Sequence, residues 1–221
     1  MFIHLIKTIN QKQKMKKVFL FVGFAAFLMA CNSQSASTEA GKAQEVAEAT
    51  GAETFTVNSA ESTVNWKGSK ITGYSHTGTI SVTGGSINAD ADAITAGSFE
   101  LDMTSIASTD GMDEEMTGKL LGHLGSPDFF DTGNNPTAMF EVSAATADNL
   151  TGNLTIKGIS KSITIPYTLN ISEGTASAAS SFSIDRSQWD VKYGSSSFFD
   201  DLGDNVINDA IEFNVNLVAS K

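Results

Sequence analysis

The chain has 221 residues, with 25 acidic and 14 basic side chains and a formal net charge of −11 at pH 7. A surface this acidic repels nucleic acid and anionic membrane, which sets aside a polyanion partner. There is one cysteine, so no internal disulfide can form and the fold must hold by its buried core.

The N-terminus carries its own signal. Met15-Lys16-Lys17 opens a basic region, and residues 18–30, "VFLFVGFAAFLMA", carry no charge. A spanning helix needs about 20 apolar residues, so this run fits the core of a signal peptide instead. It ends in "LMAC", which resembles a bacterial lipobox. The resemblance implies a signal peptide over 1–30, cleavage before Cys31 and lipidation of that cysteine. Either Met1 or Met15 can serve as the start. Cleavage would remove five lysines and no acids, leaving 9 bases against 25 acids, a formal charge of −16. Asn32 argues weakly against retention in an inner membrane. The expected location is the bacterial envelope, as a periplasm-facing lipoprotein of the outer membrane.

Residues 31–52 contain Val46 as their one aliphatic side chain. Such a segment buries too little to offset its ordering entropy, and it is expected to be a flexible tether. The stretch "KAQEVAEA" has only marginal helical character. A coil of about 20 residues spans roughly 25 Å. Residues 53–221 are long enough for one ordinary domain.

From Thr54 onward the dominant pattern has period two, as half-buried strands require. In chain order, the apolar faces are Val64 and Trp66, Ile80 and Val82, and then Phe99, Leu101 and Met103. Next come Phe140 and Val142, and Leu150, Leu154 and Ile156. Ile163, Ile165, Tyr167, Leu169 and Ile171 follow, and the last face is Ile211, Phe213, Val215 and Leu217. Gly, Asp, Asn and Ser clusters separate these runs. The turn between Lys157 and Lys161 reads as a tight hairpin. This makes eight or nine strands. One interruption is helical: "DGMDEEMTGKLLGHL" repeats Met116, Leu120 and Leu124 at spacing four, with Asp110 as cap and Gly125 and Pro127 as terminators. A second helical turn is expected within "SSSFFDDLGD". One-sided antiparallel strands need cover, which a closed barrel or a two-sheet sandwich supplies. A transmembrane barrel is disfavoured, because the outward residues are Thr, Ser, Asn and Glu and no aromatic girdles bracket the strands.

An ordered series of stretches resembles the YceI-like family. They are "STVNWKGSKITGYSHTGTISVTGGSI", "AGSFELDMTSI", "KLLGHLGSPDFFDTGNNPTAMFEV", "LTGNLTIKGISKSITIPYTL" and "FSIDRSQWDVKYG". The resemblance runs from about Glu53 to the C-terminus. It departs near "QWDV", where the family often has Phe-Gly. It implies an all-β, eight-stranded antiparallel lipocalin-like barrel with one or two short helices. It also implies an elongated apolar cavity for a long-chain amphiphilic lipid of the isoprenoid type. No one catalytic activity is associated with the family. A barrel of eight strands can instead fill its interior with side chains, and it would then be a structural or protein-interaction module of the envelope. The small inward residues Gly78, Ala96, Ala138, Ala144 and Gly152 are expected to leave room along the axis.

Strand parity nominates site residues. Trp66, Tyr167, Phe182, Ile184 and Phe213 are expected to line the cavity, with ordinary core packing as the other reading. Arg186, His76 and Lys70 share parity with apolar neighbours, and a buried unpaired charge is costly. They are candidates for receiving a lipid head group, Arg186 through its bidentate fork. Otherwise they snorkel at the rim, or Arg186 pairs with Asp190 or lies on Trp66 or Trp189. The motif Phe-Phe-Asp occurs twice. Phe129 and Phe130 are expected to pin the helix to the barrel, and Phe198 and Phe199 to act as a lid or plug. No hydrolase signature, zinc pattern or calcium-loop spacing appears. No cofactor, metal or enzymatic activity is therefore expected. The expected partners are a lipid and a membrane reached through Cys31, and a homodimer is left open.

Overall fold

The computed structural model describes residues 37–49, 52–90 and 93–221. The predicted signal peptide and Cys31 lie outside the described residues. The strands are β1 (Ala40–Lys42), β2 (Glu53–Val57), β3 (Thr63–Lys70), β4 (Ser75–Asp90), β5 (Ala93–Ser108) and β6 (Thr137–Ala145). They continue with β7 (Asn149–Ile156), β8 (Ile159–Pro166), β9 (Thr168–Ser172), β10 (Thr175–Asp185) and β11 (Ile207–Ser220). Among the described residues, one helix, α1 (Glu114–Leu124), and two short 3₁₀ turns complete the fold.

These strands form eight staves. β2 and β3 both lie between β4 and β11, so they are one interrupted stave. β8 and β9 are another: β8 pairs with β7, and β9 pairs with β10. Neighbours in sequence pair antiparallel around the ring, and β11 closes it by pairing with β10 on one side and with β2 and β3 on the other. Register shifts in β4, β6 and β11 mark bulges. Such bulges sharpen the twist that a closed barrel needs. The apolar parity predicted from sequence faces inward, with Phe55, Val64, Ile87, Phe140, Ile163 and Ile165 almost wholly buried.

The local signals behave as their chemistry dictates, with corrections. The hairpin between β7 and β8 turns on Lys157 and Gly158, both at positive φ of 52° and 72°. That is the two-residue turn whose twist matches the strands. Helix α1 starts later than expected. Its cap is Asp113, whose side chain accepts from Met116 N–H, with Glu114 and Glu115 in the first turn. Asp110 has another role, described below. The second helical turn is the short Gly203–Asn205 element. Ala144 does not point inward. The bulge between Val142 and Ala144 reverses the alternation, and Ala144 is exposed.

The largest departure is the expected tether. Within residues 31–52, the segment from Thr38 to Ala47 is laid along the barrel, and residues 43–49 are not helical. Thr38 donates to Ser183 O at 2.7 Å and bridges to Ile184 of β10. Ala40, Gly41 and Lys42 pair with Ile163, Ser162 and Lys161 of β8. Gln44 N–H donates to Asn153 Oδ1 at 2.8 Å, and Asn153 Nδ2 returns a bond to Gln44 O at 2.7 Å. Ala47 N–H donates to Val142 O at 2.8 Å, at the bulge. The segment therefore stitches β10 to β8, β7 and β6. Composition misjudged it because it docks through backbone hydrogen bonds rather than apolar burial.

Candidate functional site

The barrel interior is not filled. A partly open cavity runs among side chains from every stave. Its wall is almost wholly apolar, from Ile87, Ile94 and Ala96 through Phe99, Phe140 and Val142 to Ile165, Phe182 and Val215. Two stacked aromatic pairs, Phe99–Phe140 at 5.5 Å and Phe182–Phe213 at 5.6 Å, make part of the wall. The Tyr167 hydroxyl is satisfied away from the cavity, donating to Thr146 O at 2.9 Å and accepting from Ile94 N–H at 3.3 Å. Only the ring of Tyr167 is offered to an occupant. Such a lining cannot orient a ligand by hydrogen bonds and suits a hydrocarbon chain.

A second, smaller cavity lies between α1 and the loop leading to β11. Trp66, Leu124, Phe129, Arg186, Asn208 and Ile211 are among its walls. Ile80, Phe130 and Phe213 line both cavities and form the partition between them.

The predicted apolar residues divide accordingly. Tyr167, Phe182 and Phe213 line the main cavity, and Trp66 lines the second one. Ile184 is fully buried but lines neither cavity. Of the small residues, Ala96 and Ala138 line the main cavity. Gly78 and Gly152 serve a different purpose. A Cβ on Gly78 would collide with the Ala107 carbonyl and the Trp66 ring, and one on Gly152 with the Phe140 ring and the Glu141 carbonyl. These glycines make room for neighbouring backbone and aromatic rings rather than for a ligand.

The three head-group candidates do not converge. Arg186 is 1% exposed, but its guanidinium is engaged. Nε donates to Asn208 O at 3.2 Å, Nη1 to Val191 O at 2.8 Å and Nη2 to Ile207 O at 3.1 Å. Nη2 also lies 3.3 Å from Asp209 Oδ1, an ionic contact without hydrogen-bond alignment, since that oxygen has no hydrogen-bond partner. The guanidinium stacks over Phe129 at 5.4 Å. Burial lowers the Arg186 pKa, and Asp209 and Asp185 partly offset this. Its partners are therefore Asp209, Phe129 and three carbonyls, not Asp190, Trp66 or Trp189. It fastens the last loop to the barrel.

His76 sits half-buried, with Nδ1 2.6 Å from Asp110 Oδ2. Asp110 also accepts from Thr77 N–H at 2.7 Å, Thr77 Oγ1 at 2.9 Å and Ser108 Oγ at 3.1 Å. Burial opposes its ionisation, yet the bonds from His76, Thr77 and Ser108 together hold it below the ordinary 3.8. Asp110 thus ties the start of β4 to the end of β5. Neither His76 nor Lys70 lines a cavity. Lys70 is half-buried, and its backbone is paired with Ile207.

The two Phe-Phe-Asp stretches have different fates. Phe129 is buried beside His123 and under Arg186, pinning α1, and Phe130 forms the partition. Phe198 and Phe199 are 42% and 49% exposed and line neither cavity, so they are not a lid. Both of their amides bond back to Ser195 O, a turn that throws the rings outward, where Lys192 lies over Phe198 at 5.3 Å. Among the described residues, no three His, Cys, Asp or Glu side chains gather as a metal set.

Comparisons with known proteins agree with this architecture. A family model described as a YceI-like domain matches residues 55–219. A UPF0312 protein of Pseudomonas paraeruginosa is 47% identical over 47 residues, which span 20% of this chain and 25% of that relative. The chain thus matches about a quarter of that relative's length. Among solved structures, BcnA of Burkholderia cenocepacia superposes with a TM-score of 0.59 at 24% identity, covering 74% of this chain and 99% of that one. A polyisoprenoid binding domain from Saccharophagus degradans, implicated in plant cell wall breakdown, gives 0.56 at 16% identity, covering 80% and 99%. At these identities the two structures speak for the fold alone.

Proposed function

Because this chain belongs to the YceI-like family, we propose that its barrel binds a long-chain amphiphilic lipid of the isoprenoid type and shields the chain from water. The observation that carries this is the main cavity, whose wall offers hydrocarbon and almost no hydrogen-bonding group. The mechanism is burial: each CH₂ removed from water contributes about 0.8 kcal/mol, before ordering costs. The description of the Saccharophagus domain as polyisoprenoid-binding is in keeping with this reading. No reaction step is needed; the protein would carry or sequester its ligand.

We further propose that the chain works as an envelope lipoprotein held by Cys31 and facing the periplasm, at the outer membrane. The lipobox-like "LMAC" supports this. Docking of the strap at Thr38 shortens the leash, because seven residues reach at most about 25 Å. The cargo would then be exchanged close to a bilayer.

Native mass spectrometry of the chain purified without detergent tests the binding reading. A co-purifying lipid, or uptake from membrane extract, is the expected result. Failure of both would favour a structural or protein-interaction module of the envelope that carries no ligand.

A further inference from the structure

The two ends of the barrel present different surfaces. Neighbouring strands are antiparallel, so the turns that leave β3, β5 and β10 lie at one end. Seven large apolar side chains are exposed among the described residues, and six of them belong to this end. Ile71 and Tyr74, 56% and 57% exposed, sit in the turn from β3 to β4. Met116 is on α1, and Tyr193, Phe198 and Phe199 are in the loop from β10 to β11. The seventh, Val46, is on the strap. The opposite end turns through Thr146-Ala147-Asp148 and Glu173-Gly174, which offer no large apolar group.

These side chains are held outward by their own loops. Lys70 N–H donates to Tyr74 O at 2.7 Å, and Ile71 N–H donates to Val206 O at 3.2 Å, which joins the two loops. Ser197 Oγ donates to Asp209 Oδ2 at 2.6 Å, and Asp209 is paired with the buried Arg186. The turn that points Phe198 and Phe199 away from the barrel is thus fixed from inside. Tyr193 rests against the His123 ring. Single exposed apolar residues need no explanation, whereas a group gathered at one end marks a contact surface.

Tether and charge identify what covers it. Thr38 joins β10 at Ser183 and Ile184, one residue short of the end from which the last loop departs. Cys31 lies at most about 25 Å from that point. The far end of β10, at Thr175, is nine residues from Ile184, about 30 Å along the strand. A bilayer that holds Cys31 is therefore met more readily by the aromatic end than by the polar one. Phenylalanine and tyrosine suit the head-group level, where one side is apolar and the other wet. Asp200, Asp201 and Asp204 border the phenylalanines, and Lys192 lies over Phe198. This excess of carboxylates is repelled by anionic lipid and matched by the outward ammonium of a zwitterionic head group.

We propose that this end is a membrane-docking rim, seated on a zwitterionic bilayer with Ile71, Phe198 and Phe199 inserted and Tyr74 and Tyr193 at the interface. The inference rests on the lipoprotein reading and adds an orientation to it: the barrel stands end-on instead of swinging on its leash. It also gives the second Phe-Phe-Asp motif a use outside the barrel.

The test reads depth. The full chain is expressed in a bacterium, recovered from its membranes and placed in phosphatidylcholine vesicles, and mass spectrometry reports the acylation of Cys31. With Cys31 acylated, a single added cysteine takes a spin label. Labels are set at Thr72→Cys and Ser196→Cys on the rim and at Glu173→Cys on the opposite end, all exposed positions. Electron paramagnetic resonance compares the label's access to oxygen, which concentrates in lipid, with its access to a water-soluble nickel chelate. Oxygen access should dominate at both rim positions and nickel access at the far end. Phe198→Ser with Phe199→Ser should return the Ser196→Cys label to water while the chain stays on the vesicle through Cys31. Replacing phosphatidylcholine by phosphatidylglycerol should lift that label toward water as well. A Ser196→Cys label that remains in water on phosphatidylcholine would overturn the inference and leave the rim to a protein partner. Deeper burial at Glu173→Cys than at the rim, or a depth that the serine substitutions leave unchanged, would also overturn it. An unacylated Cys31 would instead remove the lipoprotein reading, and the docking with it.

Discussion

Asn153→Ala tests whether the leading segment is part of the barrel. Asn153 faces outward on β7 yet is only 4% exposed, because Gln44 lies across it. Its amide makes two bonds to the Gln44 backbone, at 2.8 and 2.7 Å. Each such bond contributes a net 0.5–1.5 kcal/mol, so the substitution should cost about 2 kcal/mol. For a domain of this size that lowers the melting temperature by roughly 4–8 °C. The decisive measurement is a double-mutant cycle by urea denaturation, pairing Asn153→Ala with deletion of residues 1–47. In the shortened chain, Asn153 is a solvated surface residue, and its replacement should cost less than about 0.5 kcal/mol. The coupling energy should therefore be about 1.5 kcal/mol. Gln44→Pro, which removes one donor, replaces the deletion if the shortened chain does not fold. Equal losses in both backgrounds would refute the docked strap.

Three other perturbations probe the packing. Arg186→Met should cost about 3–5 kcal/mol in urea denaturation, because it leaves Asp209 and the carbonyls of Val191, Ile207 and Asn208 without their partner; a loss below about 1 kcal/mol would contradict the fastening role. Gly152→Ala should cost about 1–3 kcal/mol in the same assay by forcing a methyl against the Phe140 ring and the Glu141 carbonyl, whereas a neutral result would mean that both ring and backbone give way freely. His123 is half-buried, with its ring centroid 3.9 Å from Tyr193, and burial depresses its pKa below 6.5 despite Asp128. Below that value the unfolded chain takes up a proton that the folded chain refuses, so stability should fall as pH drops through 6.5 toward the folded value and be complete above it. His123→Phe should flatten that part of the stability–pH curve, and an NMR titration midpoint at or above 6.5 would refute the assignment.

What was legible in the sequence is what short-range physics decides. Alternation placed Phe99, Ile165, Phe213 and Val215 on the inner face, and the Lys157-Gly158 turn announced its hairpin. The position of the cavity wall followed from parity wherever strands run without a break. Parity failed where a bulge intervened, and Ala144 turned outward. It also could not say what an inward charge meets. Arg186 lies inside, as predicted, but its partners Ile207, Asn208 and Asp209 belong to the next stave. The same holds for Asp110, whose spacing suits a helix cap and whose actual partner, His76, is 34 positions away. Inward glycines were misread for a related reason. Their emptiness is used by the rings of Trp66 and Phe140 on adjacent strands, and one-strand patterns carry no trace of that.

The strap has a cause in the barrel itself. Pro166 lacks an N–H, and Tyr167 N–H goes to Asp148 O rather than to a neighbouring strand of the ring. The stave from β8 to β9 therefore breaks at this point. Its second half pairs with β10 from Thr175 to Ala179, while its first half stays with β7. The remaining edge of β10, down to Asp185, faces the edge of β8 without a continuous ladder between them. Exposed edges of this kind invite pairing with another chain. Residues 38–42 supply that pairing from within, antiparallel to β8 and with one parallel bridge to β10. The segment lies outside the stretch that the family model matches, residues 55–219. A chain beginning at Glu53 would keep all eight staves and lose the stitch. The compact unit therefore includes the segment from Thr38 as well as the eight staves.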